Sequence, residues 1–475
     1  MWPANTALLA PALLGCAFTA SALKVDLTSD DSIKETSATI AYGLMNYYTG
    51  NNTGDIPGVL PQPYYWWEAG AMFGTMIDYW YYTGDETYND VVMQAMIHQQ
   101  TDKGDFMPSN QTASMGNDDQ GFWAMTAMMA AENVFPDPPP DRPQWLACVQ
   151  AVFNQYVGRW EEQVNDGFCG GGLRWQVYAF NPGYHYKNSV ANGCFFNIAA
   201  RLARFTGNST YADWAAKIWD WQVSYDMITS DYAVRDGIAV DEDAKTCQNV
   251  NPIEFTYNSG LFLHGSAVLY NYTGNDTWKA RTNGLLNRTQ VWFLNETVIF
   301  EPACEPYGTC AVKELNMLSF KGYMLRFLTA TTQVAPWTYD PITKIISDAA
   351  SAAVKKCTAK VGTQFWGLIY RGVEDAGCLF DWVPESLDRR QVDVGSHMDA
   401  LSAVMYNLVR RVKPPATSDN RGTSTGDPNA GIENDGEKLP QFKPITTGDK
   451  AGAGILTAIV VSGIVASSLW VTIVK

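Results

Sequence analysis

One short motif recurs three times along this chain, each time between two segments with helical periodicity. It reads Thr-Gly-Asp-Glu-Thr-Tyr at 83–88, Thr-Gly-Asn-Ser-Thr-Tyr at 206–211 and Thr-Gly-Asn-Asp-Thr-Trp at 273–278. Glycine readily adopts the left-handed conformation that ends a helix, and the threonine that follows suits the N-cap of the next helix. Each copy of the motif therefore predicts the turn of a helical hairpin.

Apolar residues spaced three and four apart predict about twelve helices and few strands. The helical segments are 32–48, 66–82, 88–99, 118–134, 144–160, 191–205, 211–227, 257–272, 278–294, 315–329, 341–355 and 397–412. Twelve helices in six hairpins predict an all-α (α/α)6 toroid, with apolar helices inside and amphipathic helices outside. An α-solenoid is the alternative, although its repeat would be more regular in length. Short apolar runs at 368–370 and 379–383 could form strands within loops.

The beginning of the chain predicts secretion. An apolar run at 7–18 precedes Ala20-Ser21-Ala22, as in a signal peptide with small residues before its cleavage site. Asn-X-Ser/Thr sequons indicate the same; they are Asn51, Asn110, Asn208, Asn271, Asn275, Asn287 and Asn295. Loss of Cys16 with the signal peptide leaves an even number of cysteines, which favours disulfides. Of these only Cys304 and Cys310 suggest a local pair.

The end of the chain predicts an anchor. Small residues at 447–454 precede an apolar tail at 455–474, a pattern typical of a GPI-attachment signal. Gly448 and Asp449 are the candidate attachment residues. A membrane-spanning helix is the alternative, because the tail has about the 20 residues that a helix needs to cross a bilayer.

These signals divide the chain into four parts. Residues 1–22 would be the signal peptide and 23–413 one globular domain. Residues 414–449 are rich in Pro, Gly, Ser, Thr, Asn and Asp, so we expect a disordered stalk there. Residues 450–475 would be the hydrophobic attachment signal.

Composition restricts the class of ligand. The formal net charge of −16 argues against nucleic acid, because a phosphate backbone must be met by Lys and Arg. The 17 Trp, 24 Tyr and 20 Phe suit a carbohydrate, whose sugar faces stack on aromatic rings, although most of these residues would belong to the core. The histidines are scattered and no phosphate loop or G-x-S-x-G motif occurs, so we expect neither a metal nor a cofactor.

Polar residues collect at the starts of the predicted inner helices, and the clearest group there is the adjacent pair Asp118 and Asp119 within 116–121. One carboxylate would suffice as a helix cap, which is the structural alternative. Two charges ~5 Å apart repel by roughly 3 kcal/mol at an effective dielectric of ~20, so one carboxyl would keep its proton. Glycoside cleavage needs one ionised and one protonated carboxyl. The pair therefore predicts a glycosidase site, although Asp30-Asp31 and Glu161-Glu162 show that adjacent acids also occur elsewhere.

Three motifs carry a family resemblance: Trp66-Trp67-Glu68-Ala-Gly, Gly116-Asn-Asp-Asp-Gln-Gly-Phe-Trp123 and Cys169-Gly-Gly-Gly-Leu-Arg-Trp-Gln176. With the terminal signals, they resemble the fungal GPI-anchored members of the endo-α-1,6-mannanase family, glycoside hydrolase family 76. The resemblance implies an (α/α)6 barrel that cleaves α-1,6-mannosidic bonds with retention. It implies that Asp118 is the nucleophile and Asp119 the general acid/base.

The resemblance also implies substrate contacts and partners. A loop at 170–175 would border the cleft with Trp175 as a stacking platform. Further sugar contacts, each with a structural role as its alternative, would be Trp66, Trp67, Glu68, Asn117, Asn192 and Asn258. Fungal members are thought to be transglycosidases that join GPI-linked mannoproteins, through their mannose core, to wall glucan. We therefore expect a monomer, lipid-anchored at the outer face of the plasma membrane and in the cell wall.

Two other functions stay open at this point. A catalytically silent glycan-binding protein on the same toroid would bind sugars without turnover. An inverting hydrolase of another toroid family would release the opposite anomer.

Overall fold

The computed structural model describes residues 21–311, 315–366, 370–387, 392–432 and 447–473. Apart from its last two residues, the predicted signal peptide lies outside the described part. The helices are α1 Asp30–Met45, α2 Trp66–Thr83, α3 Asn89–Gln99, α4 Asn117–Asn133, α5 Trp145–Asn165, α6 Ser189–Thr206, α7 Ser209–Ser224, α8 Thr256–Thr273, α9 Asp276–Trp292, α10 Phe320–Val334, α11 Tyr339–Ala353, α12 Val394–Met405 and α13 Thr447–Ile473. The strands are β1 Ser21–Ala22, β2 Tyr186–Asn188, β3 Arg235–Asp241, β4 Thr246–Glu254, β5 Leu294–Asn295, β6 Val298–Ile299, β7 Cys357–Trp366 and β8 Tyr370–Cys378.

Twelve of the helices form two concentric rings. Helices α2, α4, α6, α8, α10 and α12 pack side by side in that order, and α12 packs against α2 to close the inner ring. Helices α1, α3, α5, α7, α9 and α11 lie outside it, each against one or two inner helices. The inner helices are buried on nearly all sides, which explains their continuous apolar sequences. The predicted (α/α)6 toroid is confirmed.

The repeated motif forms the turn at the C-terminal end of three inner helices. Gly84, Gly207 and Gly274 end α2, α6 and α8 in the left-handed region, with φ values of 78°, 72° and 66°. The prediction that a threonine caps the next helix is wrong in all three copies. The cap of α3 is Tyr88, and those of α7 and α9 are Asn208 and Asn275, whose side-chain oxygens accept the N–H two residues on at 3.0 and 2.9 Å. The helices α7 and α9 begin directly after the asparagine, so the threonine lies inside the first turn and its N–H is one of those that need a cap.

The structure contains more β-structure than the sequence predicts. Strands β2, β3 and β4 form one antiparallel sheet, and β1, β7 and β8 form another. The run 379–383 makes only an isolated bridge at Leu379, and 368–369 lie outside the described residues. β4 was not predicted because it is mostly exposed and polar, and so lacks the apolar alternation of a half-buried strand.

The disulfides of the described residues join loops and strands outside the helices. The predicted Cys304–Cys310 pair is confirmed, and Cys169–Cys247 and Cys357–Cys378 are also bonded. Cys148 and Cys194 are buried thiols without a disulfide. The even number of cysteines therefore does not mean that every one is paired.

Residues 414–432, which we call the C-terminal strap, differ from the stalk that the sequence predicts. Ala416 and Ser418 donate their backbone N–H groups to carbonyls near the ends of α4 and α6, at 2.8 and 2.9 Å. The Ser424 hydroxyl accepts an N–H from the first turn of α5 at 2.9 Å. The last carbonyls and the first N–H groups of a helix have no partner within the helix, so the strap contributes caps to three helices. The folded unit therefore extends beyond residue 413. Among the described residues, no helix is both long and apolar enough to cross a membrane.

Candidate active site

A cavity of about 180 Å³ opens where five inner helices begin, at the N-terminal face of the ring. Its walls combine aromatic and apolar side chains with a few polar groups. The lining residues are Trp67, Asp118, Asp119, Phe122, Trp175, Tyr186, Asn188, Val190, Asp236, Tyr257, Asn316 and Phe320. Such a cavity suits a sugar, whose faces are apolar and whose edges carry hydroxyls.

The aspartate pair occupies the first turn of α4. The Asp118 carboxylate accepts hydrogen bonds from the Asp119 N–H at 3.1 Å and from Nδ2 of Asn188 at 3.3 Å. The Asp119 carboxylate accepts the N–H of Gly116 at 2.7 Å. These bonds hold both carboxyl groups in place beside the cavity.

Gly116 brings the two carboxyl groups close together. A Cβ atom at this position would lie 2.2 Å from Oδ1 of Asp118 and 3.3 Å from Oδ2 of Asp119. The two oxygens are therefore at most about 5.5 Å apart, which is compatible with the carboxyl separation of about 5–5.5 Å in retaining glycosidases and shorter than the roughly 6.5–9.5 Å of inverting ones. Any side chain larger than that of glycine would collide with Asp118.

Burial raises the pKa of both carboxyl groups. It raises the pKa of Asp119 to about 7, against a smaller lowering by the Gly116 N–H. Burial, and then the charge of Asp119, raise the pKa of Asp118 well above its usual range. Because each charge opposes the other, the increase belongs to the pair, which holds at least one proton at neutral pH.

The glycine-rich loop beside the cavity is packed between two tryptophans. Gly171 and Gly172 have φ values of 118° and 84°, and a Cβ atom on either would lie 2.3 Å from the ring of Trp160 or Trp221. Lys187 donates from Nζ to the Gly171 carbonyl and stands against the Trp221 ring. The loop therefore has a single well-defined path past the cavity.

Trp175 follows this loop and is fixed through its backbone. Its N–H donates to the Tyr186 carbonyl at 2.7 Å, and its carbonyl accepts the Asn117 N–H at 2.8 Å. Gly183 lies against the indole ring, where a Cβ atom would be 2.4 Å away. The ring lines the cavity and is 39% exposed, as a stacking platform would be.

Five predicted sugar contacts are absent from the cavity lining: Trp66, Glu68, Asn117, Asn192 and Asn258. All five are buried. Trp66 stacks on Trp123, and Asn258 has no hydrogen-bond partner among the described residues. A residue near the start of an inner helix faces the cavity only if the helix is rotated so that the side chain points inward. The sequence does not give this rotation.

The other three of these side chains hold backbone in place. Glu68 accepts the N–H of the residue before α2 at 2.8 Å, and Asn117 donates to the Arg174 carbonyl at 2.9 Å. Asn192 bonds both the N–H and the carbonyl of Leu173, at 2.8 and 3.0 Å. Asn117 and Asn192 thus secure the glycine-rich loop and do not line the cavity.

Several lining residues were not among the predicted site residues. Asn188 and Tyr257 stand at predicted helix starts, so their position offered a signal. Asp236 lies on β3, which nothing in the helical periodicity indicates. In the parts of the chain that the structure describes, no three His, Cys, Asp or Glu side chains converge in a way that could hold a metal ion.

The closed double ring of helices and the buried acid pair in its cavity define a glycosidase of the (α/α)6 class. The chain belongs to glycoside hydrolase family 76, whose family model matches residues 32–419. It is therefore an enzyme. Membership of this family favours catalysis over the alternative of a catalytically silent glycan-binding protein.

Similar proteins span nearly the whole chain. A mannan endo-1,6-α-mannosidase of Saccharomyces cerevisiae is 43% identical over 464 residues, which are 96% of this chain and 98% of that protein. The crystal structure of Dfg5 from Chaetomium thermophilum in complex with glucosamine is 43% identical, with a TM-score of 0.75 over 86% of this chain and 98% of that one. An α-1,6-mannanase from Salegentibacter sp. matches at 17% identity with a TM-score of 0.55, covering 79% and 98%, which shows the shared fold alone.

Proposed function

We propose that this enzyme cleaves α-1,6-mannosidic bonds in mannan-type glycans with retention of configuration. The observation that carries the proposal is the closeness of the Asp118 and Asp119 carboxyl oxygens in a cavity where the pair keeps a proton. The mannan endo-1,6-α-mannosidases among the relatives support the choice of substrate.

In the first step Asp118 is the nucleophile. Its ionised carboxylate attacks the anomeric carbon, while protonated Asp119 gives its proton to the departing glycosidic oxygen. The pKa values of both carboxyl groups are raised, so they do not by themselves assign the two roles. We assign Asp118 as the nucleophile from the family resemblance, and the two hydrogen bonds that it accepts would stabilise its charged form. The product of this step is a mannosyl ester on Asp118.

In the second step Asp119 acts as a base. It removes a proton from water or from a sugar hydroxyl, whose oxygen displaces Asp118 and restores the α configuration. We propose a sugar hydroxyl as the natural acceptor, so that the enzyme joins GPI-linked mannoproteins to wall glucan. The exposed ring of Trp175 beside the cavity offers an acceptor sugar a stacking surface.

The proposed location follows from the ends of the chain. The apolar start and the small-residue-plus-apolar end support a secreted, GPI-anchored protein at the outer face of the plasma membrane and in the cell wall, and we propose that it is a monomer there. Treatment of intact cells with a GPI-cleaving phospholipase tests this proposal. Release of the protein supports the anchor, and retention of all of it contradicts the anchor.

Mass spectrometry of products from a short α-1,6-mannan oligomer with excess acceptor tests the activity. Shorter oligomers would indicate hydrolysis and longer ones transfer. Asp118→Asn and Asp119→Asn should each reduce turnover by at least about a thousandfold. Asp31→Asn is the matched control, because this exposed acid also lies in a helix first turn but outside the cavity. Full activity of either cavity variant would remove the mechanism.

A further inference from the structure

A third carboxyl group, that of Asp236, faces the same cavity as the catalytic pair. It lies on β3, in the sheet where Asn188 of β2 pairs with Gly237. The mechanism proposed above uses two carboxyl groups and leaves this one without a role. Its place in the cavity lining raises the question of what it binds.

Two donors hold one oxygen of Asp236. The Tyr186 hydroxyl donates to Oδ2 at 2.6 Å, and Nδ2 of Asn251 donates to the same oxygen at 3.1 Å. Within the described residues, no donor contacts Oδ1. The carboxylate is therefore oriented by protein groups at one oxygen and has acceptor capacity left at the other.

The surroundings make this orientation rigid. A Cβ atom at Gly237 would lie 2.5 Å from the Tyr186 ring, so glycine allows the ring to cross closely over β3. The Cys169–Cys247 disulfide ties the β3–β4 hairpin to the glycine-rich loop. Asp236 is thus held in position before any ligand arrives, which lowers the entropic cost of binding.

A purely structural role explains the hydrogen bonds that Asp236 accepts from Tyr186 and Asn251, but it does not explain why Asp236 lines the cavity. A carboxylate needed only to hold Tyr186 and Asn251 has no reason to line the cavity. Burial raises the pKa of Asp236, because the two donors do not replace all the hydration lost by the charged form. A sugar hydroxyl in the cavity would provide the missing donor.

We propose that Asp236 is a sugar-binding residue whose Oδ1 accepts a hydrogen bond from a ring hydroxyl of the mannose unit in the cavity. The inference rests on the proposed function, since it assumes an α-1,6-mannoside as ligand. It assigns Asp236 to binding and leaves the proton transfers to Asp118 and Asp119.

Calorimetric titration with α-1,6-mannotriose tests the proposal in an Asp118→Asn parent, which should bind without turnover. Adding Asp236→Ala should raise Kd by about tenfold to a hundredfold, the cost of losing a hydrogen bond to a charged group. Asp236→Asn keeps the side-chain volume and should also weaken binding, so a folding defect of the alanine variant would be recognised. Asp226→Asn, a surface acid paired with Arg235 outside the cavity, is the matched control and should leave Kd unchanged.

Monodeoxy mannosides identify the hydroxyl. For one of the 2-, 3- and 4-deoxy analogues, the loss of affinity seen in the parent should disappear when Asp236 is alanine. In the otherwise native enzyme, Asp236→Asn should raise KM more than it lowers kcat.

Three results would overturn the inference. If the parent binds mannotriose and adding Asp236→Ala leaves Kd unchanged, the binding role of Asp236 is overturned and the proposed function is not. A thousandfold fall in kcat of Asp236→Asn, with a shifted pH profile, would make Asp236 a proton-transfer residue instead. A parent that binds no mannotriose overturns the proposed function as well.

Discussion

The side chain of Asn188 connects two neighbouring inner helices: its Nδ2 donates to Asp118 at 3.3 Å, and its Oδ1 accepts the Ala191 N–H at 3.2 Å. One amide therefore caps α6 and orients the proposed nucleophile on α4. Helix packing and the geometry of the carboxyl pair are coupled through this residue.

Asn188→Asp separates these two roles. An aspartate still caps α6, but it removes the donor to Asp118 and adds a negative charge beside it. We expect kcat to fall by about tenfold to a hundredfold, the equivalent of one hydrogen bond to a charged group, with little change in melting temperature. Steady-state kinetics and thermal melting check this. A variant with native kcat would show that Asn188 only caps the helix.

Gly116→Ala tests the close approach of the carboxyl pair. The new methyl group would lie 2.2 Å from Asp118 Oδ1, so the carboxylate must move. A displacement of about 1 Å costs roughly a hundredfold in rate, and we expect at least that loss in kcat/KM. Gly158→Ala is the matched control, because nothing lies within 4 Å of its Cβ position. Native activity of Gly116→Ala would contradict the described geometry.

The activity should depend on the proton of Asp119. Because the pKa of Asp119 is raised to about 7, the proposed acid is protonated below this pH and ionised above it. We expect kcat/KM to fall as pH rises through about 7. Well above the pKa, the fall should approach tenfold per pH unit. Initial rates from about pH 4 to pH 9 measure this. A fall already complete near pH 5 would contradict a protonated Asp119.

Stability should depend on the buried acid Glu301. Glu301 accepts the Thr256 N–H at 3.1 Å and its hydroxyl at 2.7 Å, yet burial raises the pKa of Glu301 to about 8. Its unfolded pKa is about 4.3, so the folded state binds the proton more tightly and loses stability as pH rises from about 4 to 8.

Denaturant unfolding at several pH values checks this prediction. One such group contributes at most roughly 1.4 kcal/mol per pH unit, and Glu301→Gln should reduce the slope of the unfolding free energy against pH. An unchanged slope in Glu301→Gln would show that its proton is not linked to folding.

The C-terminal strap should stabilise the domain. A chain that ends after 432 keeps the caps on α4, α5 and α6, whereas a chain that ends after 413 loses all of them. We expect a lower melting temperature only for the shorter chain. Ser424→Ala should cost about 1 kcal/mol and exposed Ser230→Ala almost nothing. Equal melting temperatures of the two truncated chains would mean that the strap contacts add no stability.

The ring of helices was predictable from the sequence because its signals are local. Helical periodicity and the turn glycines at 84, 207 and 274 act within a few residues of each other, and the structure has the same turns. The Asp118–Asp119 pair was recognisable from the motif around it at 116–123, because adjacent acids at a helix start also occur at Asp30 and Asp31 in α1.

The remaining parts depend on contacts that are distant in the sequence. Asp236 faces the cavity through β-pairing with a strand about fifty residues earlier. The strap looks like a linker in composition, yet Ser424 caps a helix 278 residues away. Trp66 and Asn258 lie outside the cavity lining, because the rotation of a helix within a ring is set by its neighbours.

The configuration of the first product released from an α-1,6-mannan oligomer, followed by proton NMR, tests most directly whether adjacent Asp118 and Asp119 form a retaining site. The carboxyl spacing predicts an α-configured new anomeric centre, which is a free α-anomer before mutarotation when water is the acceptor and an α-glycosidic linkage when a sugar is. A β-anomer as first product would contradict it, because inversion needs carboxyl groups about 6.5–9.5 Å apart, with room for a water between them.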